Sequence, residues 1–185
     1  SDTEKLDNSL DLKPYLIPLS AKTPTQLEQS AKDLLSFILK SSSAIDLSAL
    51  AYTLQVGRDA MEYRVGLVVD RTEELTKKLQ SYNQGEKNIS NTYRGQVKRH
   101  DLDVETLIQD DEVRETIIAK LIADKNLIKL LELWVRGLDI TWDKLYQHKR
   151  PIRIDLPTYP FSRESYWIEG VVHEQSADVK IHPLL

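Results

Sequence analysis

The sequence predicts an α/β fold: a small three-stranded sheet packed by helices, with a helical insert and an extended C-terminal linker. Three observations predict it. Apolar residues alternate at 63, 65, 67 and 69, the period of a strand. Helix-start signals at Thr23 and Asp46 precede apolar residues at helical spacing. Near the end, Pro157 and Pro160 stand in an aromatic run and forbid helix there.

The elements follow in order. Tyr15, Leu16, Ile17, Pro18, Leu19 and Ser20 suit a buried strand, and Pro18 marks it as an edge strand or a bulge. Thr23 caps a first helix, with Pro24 at its first position and Gln26 completing a capping box. Leu27, Ala31, Leu34, Leu35 and Ile38 form its apolar face, and three serines at 41–43 end it. Asp46 caps a second helix carrying Leu47, Leu50, Ala51 and Leu54, with Gly57 past its end. Tyr63, Val65, Leu67 and Val69 then give a strand with one strongly apolar face, against Arg64, Gly66 and Val68 on the other. Asp70 with Glu73 opens a third helix bearing Leu75, Leu79 and Tyr82, closed by Gly85, and a weaker strand spans 89–94. Residues 13–98 thus read β-α-α-β-α-β. Three short strands cannot close a barrel, so helices must cover them, mainly on one face.

The second part changes character. Residues 103–122 look helical, with Val113, Ile117 and Leu121 on one face. Asn126 either breaks or restarts the helix before a stripe of Leu127, Leu130, Leu131 and Trp134, which Gly137 ends. Trp142, Leu145 and Tyr146 suit a short helix before Arg150 and Pro151. Ile152, Ile154 and Leu156 alternate with Arg153 and Asp155 in one extended stretch.

Composition narrows the function. The 185 residues include no Cys, which excludes disulfides, Cys-zinc sites, Fe–S clusters and cysteine nucleophiles. A net charge of −4 argues against non-specific nucleic-acid binding. No apolar run approaches the roughly 20 residues that span a bilayer, and the polar N-terminus shows no signal peptide. The expectation is a soluble, cytoplasmic segment that binds neither nucleic acid nor membrane. Catalytic and cofactor motifs are missing too. His100, His148, His173 and His182 are scattered, no GxSxG elbow is present, and six scattered glycines build no phosphate loop. Asp110, Asp111 and Glu112 could hold a metal, although acidic residues at a helix start ordinarily serve the macrodipole. No catalytic residue, cofactor or metal site is assigned.

Two segments are unusual. One runs from Thr53 to Arg64 and includes Gln55, Gly57 and Arg58. Its plain reading is a helix C-terminus with Arg58 or Arg64 pairing with Asp59 or Glu62, and its alternative is a ligand site. The other holds Leu156, Pro157, Tyr159, Pro160, Phe161, Arg163, Tyr166 and Trp167. Its four aromatics lie within nine residues of a chain only 7% aromatic. Such a proline-stiffened stretch loses little entropy on ordering and docks onto something, this domain or a neighbour.

These segments carry a resemblance. Residues 15–23, the run Ala51-Tyr52-Thr53-Leu54-Gln55-Val56-Gly57-Arg58, and residues 156–167 together resemble the region after a ketosynthase in modular polyketide synthases. The first two are similar to the linker domain joining ketosynthase to acyltransferase. The last resembles the post-acyltransferase linker pattern LPTYPFxRxxYW, with Ser165 where family members commonly carry Arg. Fewer than sixty residues separate Gly95 from Asp155, too few for an acyltransferase, and its GHSxG motif is absent. The chain therefore resembles the flanking subdomain, or acyltransferase docking domain, of acyltransferase-less modules served in trans. Ile181, His182, Pro183, Leu184 and Leu185 are similar to the opening of a dehydratase domain.

The resemblance implies a division into an N-terminal disordered linker (1–12), a linker domain (13–98) and a helical remnant replacing the acyltransferase (99–149). A post-acyltransferase-type linker (150–168), a flexible linker (169–180) and the start of a dehydratase (181–185) follow. It implies a non-catalytic structural role in polyketide, hence antibiotic, biosynthesis. The partners would be an upstream ketosynthase and a downstream dehydratase. The alternative is a docking module for a trans-acting acyltransferase or a carrier protein. A third reading, a remnant acyltransferase with residual activity, lacks its serine elbow.

Overall fold

The computed structural model describes residues 13–98, 110–147 and 149–156. Its elements run β1 (Tyr15–Ala21), α1 (Pro24–Lys40), α2 (Leu47–Val56), β2 (Tyr63–Val69), α3 (Thr72–Asn83) and β3 (Thr92–Gln96). Two further helices, α4 (Asp111–Ala123) and α5 (Leu127–Val135), precede a 3-10 turn (Trp142–Leu145). The strands form one antiparallel sheet in the order β1-β2-β3. Pro18 lies opposite Gly66 in β1, an edge strand of that sheet, where a missing N–H is tolerated.

Caps fix the helix starts. The Thr23 hydroxyl accepts from Gln26 N at 3.2 Å and Pro24 follows it; the Asp46 carboxylate accepts from Ala49 N at 3.2 Å. Helix α3 departs from expectation, because its cap is Arg71, without a side-chain bond. Asp70 instead donates its backbone N–H to the Glu74 carboxylate, 2.9 Å, holding the Glu74 pKa below the usual carboxylate range. Strand β3 lies downstream of the expected 89–94, because Asn91 takes φ 47° and turns the chain first.

One sheet face is aliphatic. Ile17, Leu19, Ala21, Val65, Leu67 and Val69 pack with Leu27, Leu34 and Ile38 of α1 and with Leu75 and Leu79 of α3. The expected meeting of the two apolar sets therefore forms. The opposite face is buried as well. Leu16 and Val68 pack with Leu127, Leu130, Leu131 and Trp134 of α5, the expected stripe, and with Trp142, Leu145 and Tyr146. The strand read as apolar on one face is thus covered on both, by a helix far away in sequence.

Two glycines let α5 lie flat. A Cβ on Gly66 would sit 2.6 Å from Leu131 Cγ, and one on Gly95 would sit 2.1 Å from the Val135 carbonyl oxygen. The phase of α4 is also corrected. Ile118 is its buried residue, Val113 is exposed, and Ile117 and Leu121 are half-buried. The helix turns one residue further toward α5 than the expected set would place it. Among the described residues, no helix is long and apolar enough to cross a membrane.

Candidate functional site

Helix α2 is apolar almost all round, and each of its residues is buried or half-buried. A polar side chain in such a helix must find partners. Gln55, 4% exposed, finds two. Its amide Nε2 donates to the Leu16 carbonyl of β1 at 2.8 Å, and its Oε1 accepts from the Tyr146 hydroxyl at 2.6 Å. Burial pushes the Tyr146 phenol well above its usual pKa, so it is a donor at every ordinary pH. Tyr52, in edge-to-face contact with Tyr146 at 4.9 Å, donates to the Asp143 carboxylate at 3.2 Å. Arg150 approaches the same carboxylate at 3.6 Å. The Thr53 hydroxyl donates to the Ala49 carbonyl, 2.7 Å, and accepts from Ile154 N, 3.0 Å.

Beside these links lies a groove of about 830 Å³, walled by β1, the end of α2, residues 139–143 and the returning stretch 153–156. Leu19, Leu54, Ile140, Trp142 and Ile154 give it apolar walls, and Asp59, Asp139, Asp143 and Asp155 face it with Arg58 and Arg153. Of the sequence-predicted residues, Gln55, Gly57, Arg58 and Leu156 line it together. Gly57 is required there, since a Cβ would meet the Thr53 carbonyl oxygen at 2.5 Å.

Arg64 is elsewhere, and its expected pairing with Asp59 or Glu62 is corrected. From β2 it points under α5, donating Nε to the Met61 carbonyl at 2.8 Å and a terminal nitrogen to the Trp134 carbonyl at 2.7 Å. The guanidinium lies 5.0 Å from the Trp134 ring centre. Burial lowers its pKa to about 10, with the charge of Asp139 acting against that shift. Glu62 accepts instead from the Gln96 amide, 2.8 Å.

Pro157, Tyr159, Pro160, Phe161, Arg163, Tyr166 and Trp167 lie outside the described residues, as do all four histidines. Asp110, weighed above as a metal ligand, caps α4 by accepting from Glu112 N and Val113 N at 3.0 and 3.2 Å. No group of three metal-ligating side chains occurs among the described residues. Sequence reading missed Tyr52, Thr53, Asp143 and Tyr146 as linking residues. Their partners lie about a hundred positions away, where periodicity carries no signal, although the lone glutamine of an apolar helix was a usable hint.

Residues 18–86 match the family described as RhiE-like, KS-MAT linker domain. The chain is 40% identical over 183 residues to the polyketide synthase PksN of Bacillus subtilis, covering 93% of this chain and 3% of PksN. It is 43% identical over 158 residues to PksL of the same organism, covering 85% of this chain and 4% of PksL. Among solved structures it is similar to the ketosynthase from module 6 of the bacillaene synthase of B. subtilis. There the TM-score is 0.71 and the identity 39%, over 80% of this chain and 26% of that one. A ketosynthase from module 1 of the Bacillus amyloliquefaciens bacillaene synthase gives 0.68 and 38%, over 80% and 25%. The chain therefore spans a small part of the proteins it matches.

Proposed function

We propose that this chain, which belongs over residues 18–86 to the RhiE-like KS-MAT linker domain family, is a non-catalytic structural segment of a modular polyketide synthase. It follows a ketosynthase in the same polypeptide and fixes it relative to the domains downstream. The observation that carries this reading is the likeness to ketosynthase structures: four-fifths of this chain aligns with about a quarter of a chain named as a ketosynthase. Shortness between Gly95 and Asp155 supports a module that takes its extender unit from an acyltransferase acting in trans, and residues 181–185 support a dehydratase downstream. The setting is antibiotic-type polyketide biosynthesis in the cytoplasm. Purified chain, offered acyl-CoA and acylated carrier protein, is expected to give no turnover. Turnover that survives repurification overturns the reading.

The groove favours a second reading, a docking module for the trans-acting acyltransferase or a carrier protein. A quarter of its lining residues, Trp134, Asp139, Ile140, Trp142 and Asp143, come from the stretch that replaces an acyltransferase under the first reading. Calorimetry with purified acyltransferase separates the two: micromolar binding supports docking, and no heat at high concentration supports the purely structural role. The aromatic segment 156–167 is assigned to packing back on this domain and onto the ketosynthase. Hydrogen exchange over those residues, with and without the ketosynthase attached, tests it. Unchanged protection would defeat the interdomain part.

A further inference from the structure

A linker that fixes its neighbours must hold the strand by which the chain enters and the stretch by which it leaves in one rigid relation. The hydrophobic cores hold the exit only through Ile154 and Leu156, both half-buried against the first core. Residues 149–156 form no helix or strand, and Ile152 is 85% exposed. What ties them is a set of side-chain bonds from one short run of α2. Tyr52 reaches Asp143, and Arg150 sits on that same carboxylate. Thr53 Oγ1 receives the backbone N–H of Ile154. Gln55 joins the Leu16 carbonyl in the entry strand to the Tyr146 hydroxyl, which ends the 3-10 turn just before the exit.

Three residues of one helix therefore clamp three parts of the chain separated by 39, 91 and 101 positions. The Tyr146–Gln55 and Gln55–Leu16 bonds are buried, where water cannot replace them and an unpaired partner is costly. Thr53 is also braced, because its hydroxyl proton is already given to Ala49, leaving the oxygen oriented toward Ile154. The Asp143 link is the weaker member, being partly exposed and longer.

From this arrangement we infer that α2 is a clamp that sets the direction in which the chain leaves the domain, with Gln55 and Thr53 as its positioning residues. The inference deepens the structural reading above and rests on it. A residue acting only in packing would change stability. A clamp residue also changes where the exit stretch points while the sheet stays intact.

The absence of cysteine makes the test direct. Spin labels are placed at Lys77→Cys on α3 and Ile152→Cys on the exit stretch, both exposed, and the distance distribution between them is measured by pulsed electron resonance. A control pair, Lys32→Cys with Lys77→Cys, reports α1 against α3. The parent chain is expected to give one narrow peak for each pair. Gln55→Leu, and separately Thr53→Val with Tyr146→Phe, is expected to abolish the narrow Lys77–Ile152 peak and leave the control peak unchanged. If Gln55→Leu loses the control peak as well, the hydroxyl-deleting pair decides. A Lys77–Ile152 peak that stays narrow in that pair overturns the clamp, and so does broadening of both label pairs together. These distances are read on the chain alone. A clamp that holds in a chain that proves dispensable to a synthase would defeat the linker reading and leave the clamp standing.

Discussion

The two faces of the sheet are built on opposite terms. The first is covered by α1 and α3, which lie within seventy residues of β1, and its fully buried members are all aliphatic, with aromatics only at its margin. The second is covered by α5 and the 3-10 turn, from beyond residue 126, and mixes leucine with four buried aromatics and a buried cation. The first face resembles an ordinary small core and the second resembles an interface. Its Arg64 holds the carbonyl end of a helix, where positive charge is favourable, and lies against Trp134. Gly66 and Gly95 remove the side chains that would otherwise lift that helix away. The difference teaches that the helical insert is part of the fold: without it Leu16, Val68 and Arg64 would be stripped of their cover.

The largest effect should come from the first face. Leu67, 1% exposed near the centre of β2, belongs to the first core between α1 and α3. Leu67→Ala should cost about 2–5 kcal/mol, read from the shift of the urea midpoint. A loss within error would mean that the first face does not carry the stability.

Arg64 tests the second face. Arg64→Leu removes the guanidinium donor from the Met61 carbonyl and from the Trp134 carbonyl, which keeps the Gly137 N–H, and should cost about 1–3 kcal/mol. With Trp142 and Trp167 changed to Phe in the background, the emission of Trp134 should be blue-shifted in the parent and move red in the Arg64 variant. An unchanged spectrum would separate Arg64 from the seating of α5. Gly66→Ala comes next. Its Cβ meets a fully buried Leu131, and overpacking of this kind costs about 1–3 kcal/mol.

How much was legible follows the same division. The caps at Thr23 and Asp46, the apolar face of α1 and the stripe on α5 all rest on local spacing, and they stand in the structure as read. The second burial of β2 was hidden because Arg64 and Gly66 look like solvent-facing or turn residues. Only the approach of α5 explains them. In the groove, Gln55, Gly57 and Arg58 were picked out by resemblance, but the reason for Gln55 became visible only with Tyr146 and Leu16 in place. Long-range polar partners leave no period in a sequence.

The smallest effect is expected at Val113 on α4, and its contrast with Ile118 sharpens where the second face ends. Sequence spacing places Val113, Ile117 and Leu121 on one stripe, whereas the structure buries Ile118 at 1% exposure and leaves Val113 at 38%. A helix advances about 100° per residue, so a shift of one position moves the contact line to a different side of the helix. Helix α4 meets the fold through α5 and through the Lys144–Glu115 ion pair, whose side chains are both half-exposed. Such a pair adds little to the burial of Ile118. Val113→Ala should therefore change stability by less than about 0.5 kcal/mol. Ile118→Ala should cost several times more, in the range of about 2–5 kcal/mol for a buried isoleucine. Both are read from urea midpoints at equal slope. A larger loss at Val113 than at Ile118 would restore the stripe read from spacing, rotate α4 about its axis, and move the boundary of the second face outward.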